Sequence, residues 1–190
     1  MAGLLAAVVA LAPVRAASAG DPLPAGATVL GLGGALSISH GTTDGFDTVT
    51  GLELLPHIGY VVSDRLGPEW LRGALEVLVE PALMHLESEA GSSTVVGAPA
   101  VGRWILGGSR FRPYFEGGIG LLVGETNLQQ TDCSANFLLQ GGSGVLVVLS
   151  DTTTLALGYR FQHISNGSMC AFNVGINSSA LYVGVSYRFR

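Results

Sequence analysis

Lysine is absent from this 190-residue sequence, so that arginine alone supplies its nine cationic residues. Charged residues make up 12% of the chain, about half of the fraction near 25% that is usual for soluble domains. The formal net charge is -5 and no basic patch is present, which excludes nucleic acid from the expected partners. Such a composition indicates a chain that is embedded in a membrane or unusually well buried.

Long hydrophobic runs are also missing. The apolar stretch from Leu4 to Val14 is shorter than the roughly 20 residues that a helix needs to cross a bilayer. Residues 17–19 (Ala-Ser-Ala) have the form of a signal-peptidase site. We therefore expect a signal peptide over residues 1–19, removed by export, and a mature chain that begins at Gly20. No Lys or Arg precedes the apolar stretch, a departure that a misassigned start codon would explain.

Alternation of apolar and polar residues accounts for the remaining hydrophobic content. On one segment Leu30, Leu32, Leu36 and Ile38 share a parity, and on the next Leu52, Leu54, Ile58, Tyr60 and Val62 do the same. The pattern continues over about 71 to 83, 94 to 106, 112 to 126, 136 to 149, 153 to 164 and 178 to 189. Eight strands form the smallest common closed barrel. Residues 20–190 are therefore predicted to be all-β, an eight-stranded antiparallel transmembrane β-barrel of the bacterial outer membrane.

The connections differ at the two ends of the predicted barrel. "SDRLG", "GGSRF" and "LSDTT" are compact, whereas "HGTTDGFDT", "HLESEAGSS", "TNLQQTDCSANF" and "SNGSMCAFNVGIN" are longer. Outer-membrane barrels have short periplasmic turns and longer outer loops. The opposite parity predicts a lumen that polar side chains plug, because an eight-stranded barrel is only wide enough for side chains. These lumen residues are Glu53, His57, Arg72, Glu76, Glu80, Arg103, Glu116, Arg160, Gln162 and Arg188.

The segment "HISNGSMCAFNVGIN", residues 163–177, places polar groups where an apolar face should continue. His163 and Ser165 share the outward parity of the seventh strand, near its outer end. A neutral imidazole beside a hydroxyl at the level of the outer head groups can take the serine proton where a lipid ester is at hand. The pair is thus a candidate for ester hydrolysis.

This segment, followed by the closing strand "SSALYVGVSYRF", resembles the lipid A 3-O-deacylase family, the acyloxyacyl hydrolases of the PagL type. The resemblance implies an eight-stranded outer-membrane barrel that removes an ester-linked 3-hydroxyacyl chain from the lipid A of lipopolysaccharide. It also implies His163 as general base and Ser165 as nucleophile, with Asn166 and the Gly167 amide near the developing oxyanion. No cofactor is implied, and no His, Cys or Asp cluster has metal-ligand spacing.

The family's orienting Glu is matched here by Asn177. An amide can fix the imidazole tautomer but lacks the charge that stabilises imidazolium. The orienting acid could instead come from Asp44 or Asp47 on the first outer loop, and His40 is a reserve base. An enzyme acting on lipid A and a non-catalytic structural or adhesion barrel therefore both remain open. The acyl position that is cleaved and the formation of a homodimer also remain open. The expected partners are lipid A or lipopolysaccharide and the lipids of the outer membrane.

The two cysteines, Cys133 and Cys170, fall on the third and fourth long loops. These loops leave neighbouring strands on the same side of the barrel, and an exported protein meets oxidising conditions. We expect a disulfide between them that tethers the catalytic loop. Two free thiols are the alternative, because bridge geometry cannot be read from a sequence.

Overall fold

The computed structural model of the chain describes residues 23–40, 45–107, 110–125 and 127–189. The predicted signal peptide, the new N-terminus at Gly20 and Asp44 lie outside the described residues. Within these ranges the one helical segment is the 3-10 turn Glu69–Leu71. No helix of the described chain is long and apolar enough to cross a membrane.

Eight antiparallel strands close into a barrel, as the alternation predicts. They are β1 (Thr28–Ser39), β2 (Thr50–Leu66), β3 (Gly73–Val79 and Ala82–Ser88), β4 (Gly91–Gly97 and Ala100–Leu106), β5 (Phe111–Val123), β6 (Ala135–Val148), β7 (Thr153–Ser165) and β8 (Ile176–Phe189). Each strand pairs with its sequence neighbours, and β1 pairs with β8 from Thr28↔Phe189 to Ser39↔Ser178. The closed ladder leaves no unpaired edge, which confirms the predicted fold class.

Proline explains why β3 and β4 are each interrupted once. Pro81 and Pro99 have no backbone N–H to give to the ladder, and they lie at the two breaks. The breaks face each other, since the Glu80 amide donates to the Pro99 carbonyl at 3.0 Å. Pro56, by contrast, lies within β2 opposite Leu32 and leaves the strand continuous.

The outward face is apolar over the whole barrel. Exposed outward residues include Leu32, Leu36, Ile58, Tyr60, Val77, Leu83, Phe115, Ile119, Leu139, Leu157, Phe161, Leu181 and Val183. A contiguous exposed apolar surface of this extent requires a lipid environment. Room for large side chains inside comes from lumen-facing glycines, since a Cβ on Gly33 or Gly184 would collide with the Tyr182 ring.

A continuous chain of ion pairs plugs the lumen. Arg103 contacts Glu76 at 3.4 Å and Glu116 at 2.9 Å. Arg160 joins the same Glu116 at 2.6 Å and binds Glu80 through two nitrogens, at 2.7 and 3.0 Å. These five side chains are buried, and each carboxylate, Glu76, Glu80 and Glu116, contacts at least one guanidinium group inside the barrel.

One residue expected in the lumen is exposed: Arg72, which follows the 3-10 turn and precedes β3. Arg188 lies within β8 and lines a cavity at the periplasmic end of the barrel, as expected, and its Nη2 donates to the Asp151 carbonyl. Parity extrapolated beyond a strand end does not fix the direction of a side chain. Arg112, which the parity argument missed, is buried at the start of β5.

The start of β1, the end of β8 and the strand ends that the three compact turns connect lie at one end, which is the periplasmic end of such barrels. A cavity of about 550 Å³ opens there, beneath the ion pairs; Glu76, Arg103, Arg112 and Ser186 are among its lining residues. At the outer end, "HLESEAGSS" is not a long loop. It consists of the ends of β3 and β4 joined by a tight turn at Glu89 and Ala90, because the strand pairing continues to Ser88↔Gly91.

Candidate active site

His163 lies near the outer end of β7 and is paired in register with Asn177 of β8 and Leu139 of β6. Its Nδ1 lies 2.7 Å from the Asn177 Oδ1. An amide oxygen only accepts hydrogen bonds, so Nδ1 carries the proton and donates it. The Nε2 lone pair is then available to accept a proton from a hydroxyl, which is what a general base needs.

Ser165 is the next outward residue of β7, opposite Phe137 of β6. Both His163 and Ser165 are half-buried on the lipid-facing side, whereas Ile164 between them points into the barrel. Among the described residues the Ser165 hydroxyl makes no hydrogen bond in this conformation. In enzymes without bound substrate, catalytic hydrogen bonds are often long and tighten only when the substrate binds.

Gly175 packs directly against this pair. A Cβ at Gly175 would lie 3.1 Å from the His163 Cε1 and 3.7 Å from the Ser165 Cβ. Its φ of +77° also lies in the left-handed region that favours glycine. Because Gly175 has no side chain, the His163 ring is not displaced and the space between His163 and Ser165 stays open. Residue spacing alone gave no signal for this role.

The segment after Ser165 is held by a hydrogen-bonded cap. Cys133 and Cys170 form a disulfide with a Cα–Cα distance of 5.8 Å, which ties the β5–β6 connection to the β7–β8 connection. The Gln130 carbonyl accepts from the Val174 amide at 3.0 Å, and Thr131 forms a bridge with Asn173. The loop that follows Ser165 is thus anchored to the β5–β6 connection at Cys170, Asn173 and Val174.

Asn166 is fully buried at the centre of this cap. Its Nδ2 donates to the Phe172 carbonyl at 2.8 Å and to the Thr131 Oγ1 at 3.2 Å, while its Oδ1 accepts from the Ser168 amide at 2.9 Å. These bonds hold a turn in which Gly167 and Ser168 both have positive φ, 60° and 64°. Gly167 is exposed, and its amide donates to no acceptor among the described residues.

The other candidate groups, His40 and Asp47, do not take the place beside His163 Nδ1. The His40 amide donates to the Asn177 carbonyl at 2.8 Å, and its ring lies 5.8 Å from that of Phe161, just below the site. Asp47 contacts the β5–β6 connection through its backbone, and the place beside His163 Nδ1 is taken by Asn177. A further histidine on the outward face, His85, lies across the barrel on β3, where its Nδ1 is 3.0 Å from the Thr94 Oγ1.

Comparison with known proteins identifies a family for the chain. The family model described as lipid A 3-O-deacylase (PagL) matches residues 59–186, which run from β2 to β8 and include His163, Ser165 and Asn177. No curated protein sequence matches the chain.

Solved structures share the barrel. The crystal structure of the outer membrane enzyme PagL is 18% identical, with a TM-score of 0.61, and the match covers 80% of this chain and 97% of that one. Neisserial surface protein A (NspA) is 19% identical, with a TM-score of 0.62 over 86% of this chain and 99% of its own. The N-terminal β-barrel domain of Pseudomonas aeruginosa OprF is 15% identical, with a TM-score of 0.52 over 87% and 98%. These likenesses show the fold, and the family match over most of the barrel shows that the chain belongs to the lipid A 3-O-deacylase (PagL) family of the outer membrane.

Proposed function

We propose that this barrel is an esterase that removes an ester-linked 3-hydroxyacyl chain from lipid A. The observation that carries the proposal is the 2.7 Å hydrogen bond from His163 to Asn177, which leaves the imidazole Nε2 free beside Ser165. The pair lies on the lipid-facing side at the outer end of β7, where a lipid ester of the outer leaflet is within reach.

In the proposed mechanism Nε2 of His163 takes the Ser165 proton as the oxygen attacks the ester carbonyl. The tetrahedral intermediate collapses to an acyl-serine, and the imidazolium returns its proton to the departing sugar oxygen. Water then hydrolyses the acyl-serine by the same base, releasing the free fatty acid. The Gly167 amide is the proposed donor to the oxyanion, and the buried Asn166 supports it by holding the turn.

Asn177 has the role of fixing the tautomer. Its oxygen holds the Nδ1 proton in place, but an amide adds no charge to stabilise the imidazolium. We therefore expect a slower enzyme than one with a carboxylate at this position.

The test is to refold the purified barrel in detergent, add lipopolysaccharide and measure released 3-hydroxy fatty acid by mass spectrometry. Release that depends on Ser165 supports the proposal. The uncharged Asn177 favours one competing function, a non-catalytic structural or adhesion barrel. That function would become the better explanation if no lipid A preparation released an acyl chain.

A further inference from the structure

A second serine and histidine are hydrogen-bonded to each other inside the barrel, away from the lipid-facing site. The His57 Nε2 lies 2.9 Å from the Ser186 Oγ. The His57 Nδ1 lies 3.4 Å from the Leu55 carbonyl oxygen, which can only accept a hydrogen bond. Nδ1 therefore carries the ring proton, and Nε2 accepts the hydrogen of the Ser186 hydroxyl. A base and a nucleophile have this arrangement before a covalent step.

Gly31 makes the contact between the two side chains possible. His57 of β2, Gly31 of β1 and Ser186 of β8 lie in one row across three paired strands. A Cβ on Gly31 would collide with the His57 Nε2. Because the middle residue of the row has no side chain, the imidazole reaches across β1 to the serine. Closure of the barrel between β1 and β8 thus brings together two residues that are 129 positions apart.

Ser186 lines the cavity of about 550 Å³ at the periplasmic end of the barrel. Cavities of roughly 300–1,000 Å³ are typical of sites for small molecules. Apolar and hydroxyl-bearing side chains share the lining: Val29, Leu146, Val148, Ser150, Thr152 and Thr154. The ion pairs of the lumen lie between this cavity and the outer end. Small water-soluble molecules of the periplasm therefore have access to Ser186, whereas lipids of the outer leaflet do not.

Arg103 adds a buried positive charge to the same cavity. Its side chain is held by ion pairs with Glu76 and Glu116. A fixed cation that is shielded from water stabilises the negative charge that develops on a carbonyl oxygen during attack. Glu76 also lines the cavity, so charges of both signs are present. This lining suits an uncharged polar substrate better than an anion.

We propose that Ser186 and His57 form a second nucleophilic site, which faces the periplasm and takes an acyl group from short, uncharged, water-soluble esters. Nε2 of His57 takes the hydroxyl proton while the Ser186 Oγ bonds to the ester carbonyl carbon. The bond from that carbon to the alcohol oxygen then breaks, and the imidazolium gives its proton to the leaving oxygen. Water attacks the acyl-serine with the help of the same base, which releases the acid and restores the hydroxyl.

Covalent labelling of the Ser165→Ala barrel tests this site, because that change removes the lipid-facing nucleophile. The refolded barrel is treated with diisopropyl fluorophosphate, a small serine-directed probe, and the adduct is located by peptide mass spectrometry. We expect the adduct on Ser186. His57→Gln keeps a hydrogen-bonding side chain but removes the base, so labelling should slow by about 100-fold or more. Barrels with wild-type heat-modifiable mobility that carry no adduct on Ser186, or that react equally fast after His57→Gln, would overturn the proposal.

Ser178 provides the matched control. It is also a buried serine of β8, but it lies near the outer end of the strand, and its Oγ donates to the Gln162 Oε1 at 3.4 Å. Ser178→Ala should leave the labelling rate of Ser186 unchanged. An adduct on Ser178 that forms as fast as the one on Ser186 would show that the imidazole gives no activation, and would contradict the proposal.

Hydrolysis of p-nitrophenyl acetate measures the acyl transfer itself. The Ser165→Ala barrel should release p-nitrophenolate, and adding Ser186→Ala should lower the release to the uncatalysed rate. Release that persists without both serines would overturn the proposal. Fatty-acid release from lipid A depends on Ser165 and not on Ser186, so Ser186→Ala alone should leave it unchanged. Failure of either proposal therefore leaves the other intact.

Discussion

The lumen and the outer rim of this barrel both contain polar and titratable side chains, but they differ in what those side chains contact. In the lumen, Glu116 binds both Arg103 and Arg160, and Arg160 in turn binds Glu80 through two nitrogens. At the rim, His163 Nδ1 hydrogen-bonds to Asn177, and within the part of the chain that the structure describes its second ring nitrogen has no hydrogen-bond partner. Ion pairs in which each lumen group has its partners stabilise the barrel. The half-buried His163 beside the Ser165 hydroxyl has a ring nitrogen available for a proton.

The difference shows that titratable residues alone are a poor guide to chemistry. The lumen carboxylates Glu53, Glu76, Glu80 and Glu116 are each close to a cation or an amide. A reacting lipid ester would also have to enter a closed interior. The His163 and Ser165 pair, in contrast, lies on the lipid-facing side of the barrel.

The largest expected effect is at the reacting pair. Ser165→Ala and His163→Ala should each lower acyl release by about 10⁴-fold or to background, because one removes the nucleophile and the other its base. Both barrels should keep the heat-modifiable gel mobility of the wild type, since neither side chain is in the lumen. Ser165→Ala with wild-type release would show that the mechanism is wrong.

Removing Glu116, the carboxylate that both lumen arginines share, should lower the stability of the barrel and leave the rate of acyl release unchanged. Glu116→Ala leaves two buried arginines each with one partner fewer, which should destabilise the barrel by about 3–5 kcal/mol. Urea unfolding in lipid bilayers measures the loss, and the folded fraction should keep its rate. Phe115→Leu on the outward face of β5 is the matched control. If the Glu116→Ala barrel is stable but inactive, the claim that the lumen ion pairs serve stability and rim groups serve catalysis is wrong.

Variants of Asn177 test how strongly the rate depends on the orientation of the His163 imidazole. Asn177→Ala removes the acceptor for His163 Nδ1, so the rate should fall by about 10–100-fold, as for other side chains that orient a reacting imidazole. Asn177→Glu restores an acceptor and adds a charge, so the rate should stay equal or rise. If Asn177→Ala has no effect on the rate, another group orients the imidazole.

Gly175 should give the smallest effect. Gly175→Ala places a methyl group 3.1 Å from the His163 Cε1, and a displacement of a few tenths of an ångström should lower kcat by about tenfold. Backbone strain at φ +77° should also cost about 1–2 kcal/mol of stability. Gly26→Ala, at φ +88° and the periplasmic end, is the control for strain. Equal rate losses in the two variants would show that Gly175 acts through strain alone.

Much of the architecture could be predicted from the sequence because strand parity is local. Outward Leu, Ile and Val residues and inward Glu76, Arg103 and Glu116 alternate along each strand, and the structure places them as the alternation predicts. Prediction failed where strands end: Arg72 is exposed instead of buried, and "HLESEAGSS" is a continuation of the strands with a tight turn instead of a long loop. Beyond a strand end, turn geometry decides where a side chain points.

The sequence by itself determined the eight-stranded barrel and the family resemblance, and it singled out His163, Ser165 and Asn177. Period-2 alternation and short motifs are local properties of the chain, so they need no knowledge of distant contacts. The tertiary structure alone decided that Asn177 pairs with His163, that Gly175 packs against His163 and Ser165, and that Asn166 is buried at the centre of the cap. It also decided which arginines are neutralised in the lumen. These contacts depend on register between strands and on loops from different parts of the chain, which exist only once the barrel has closed.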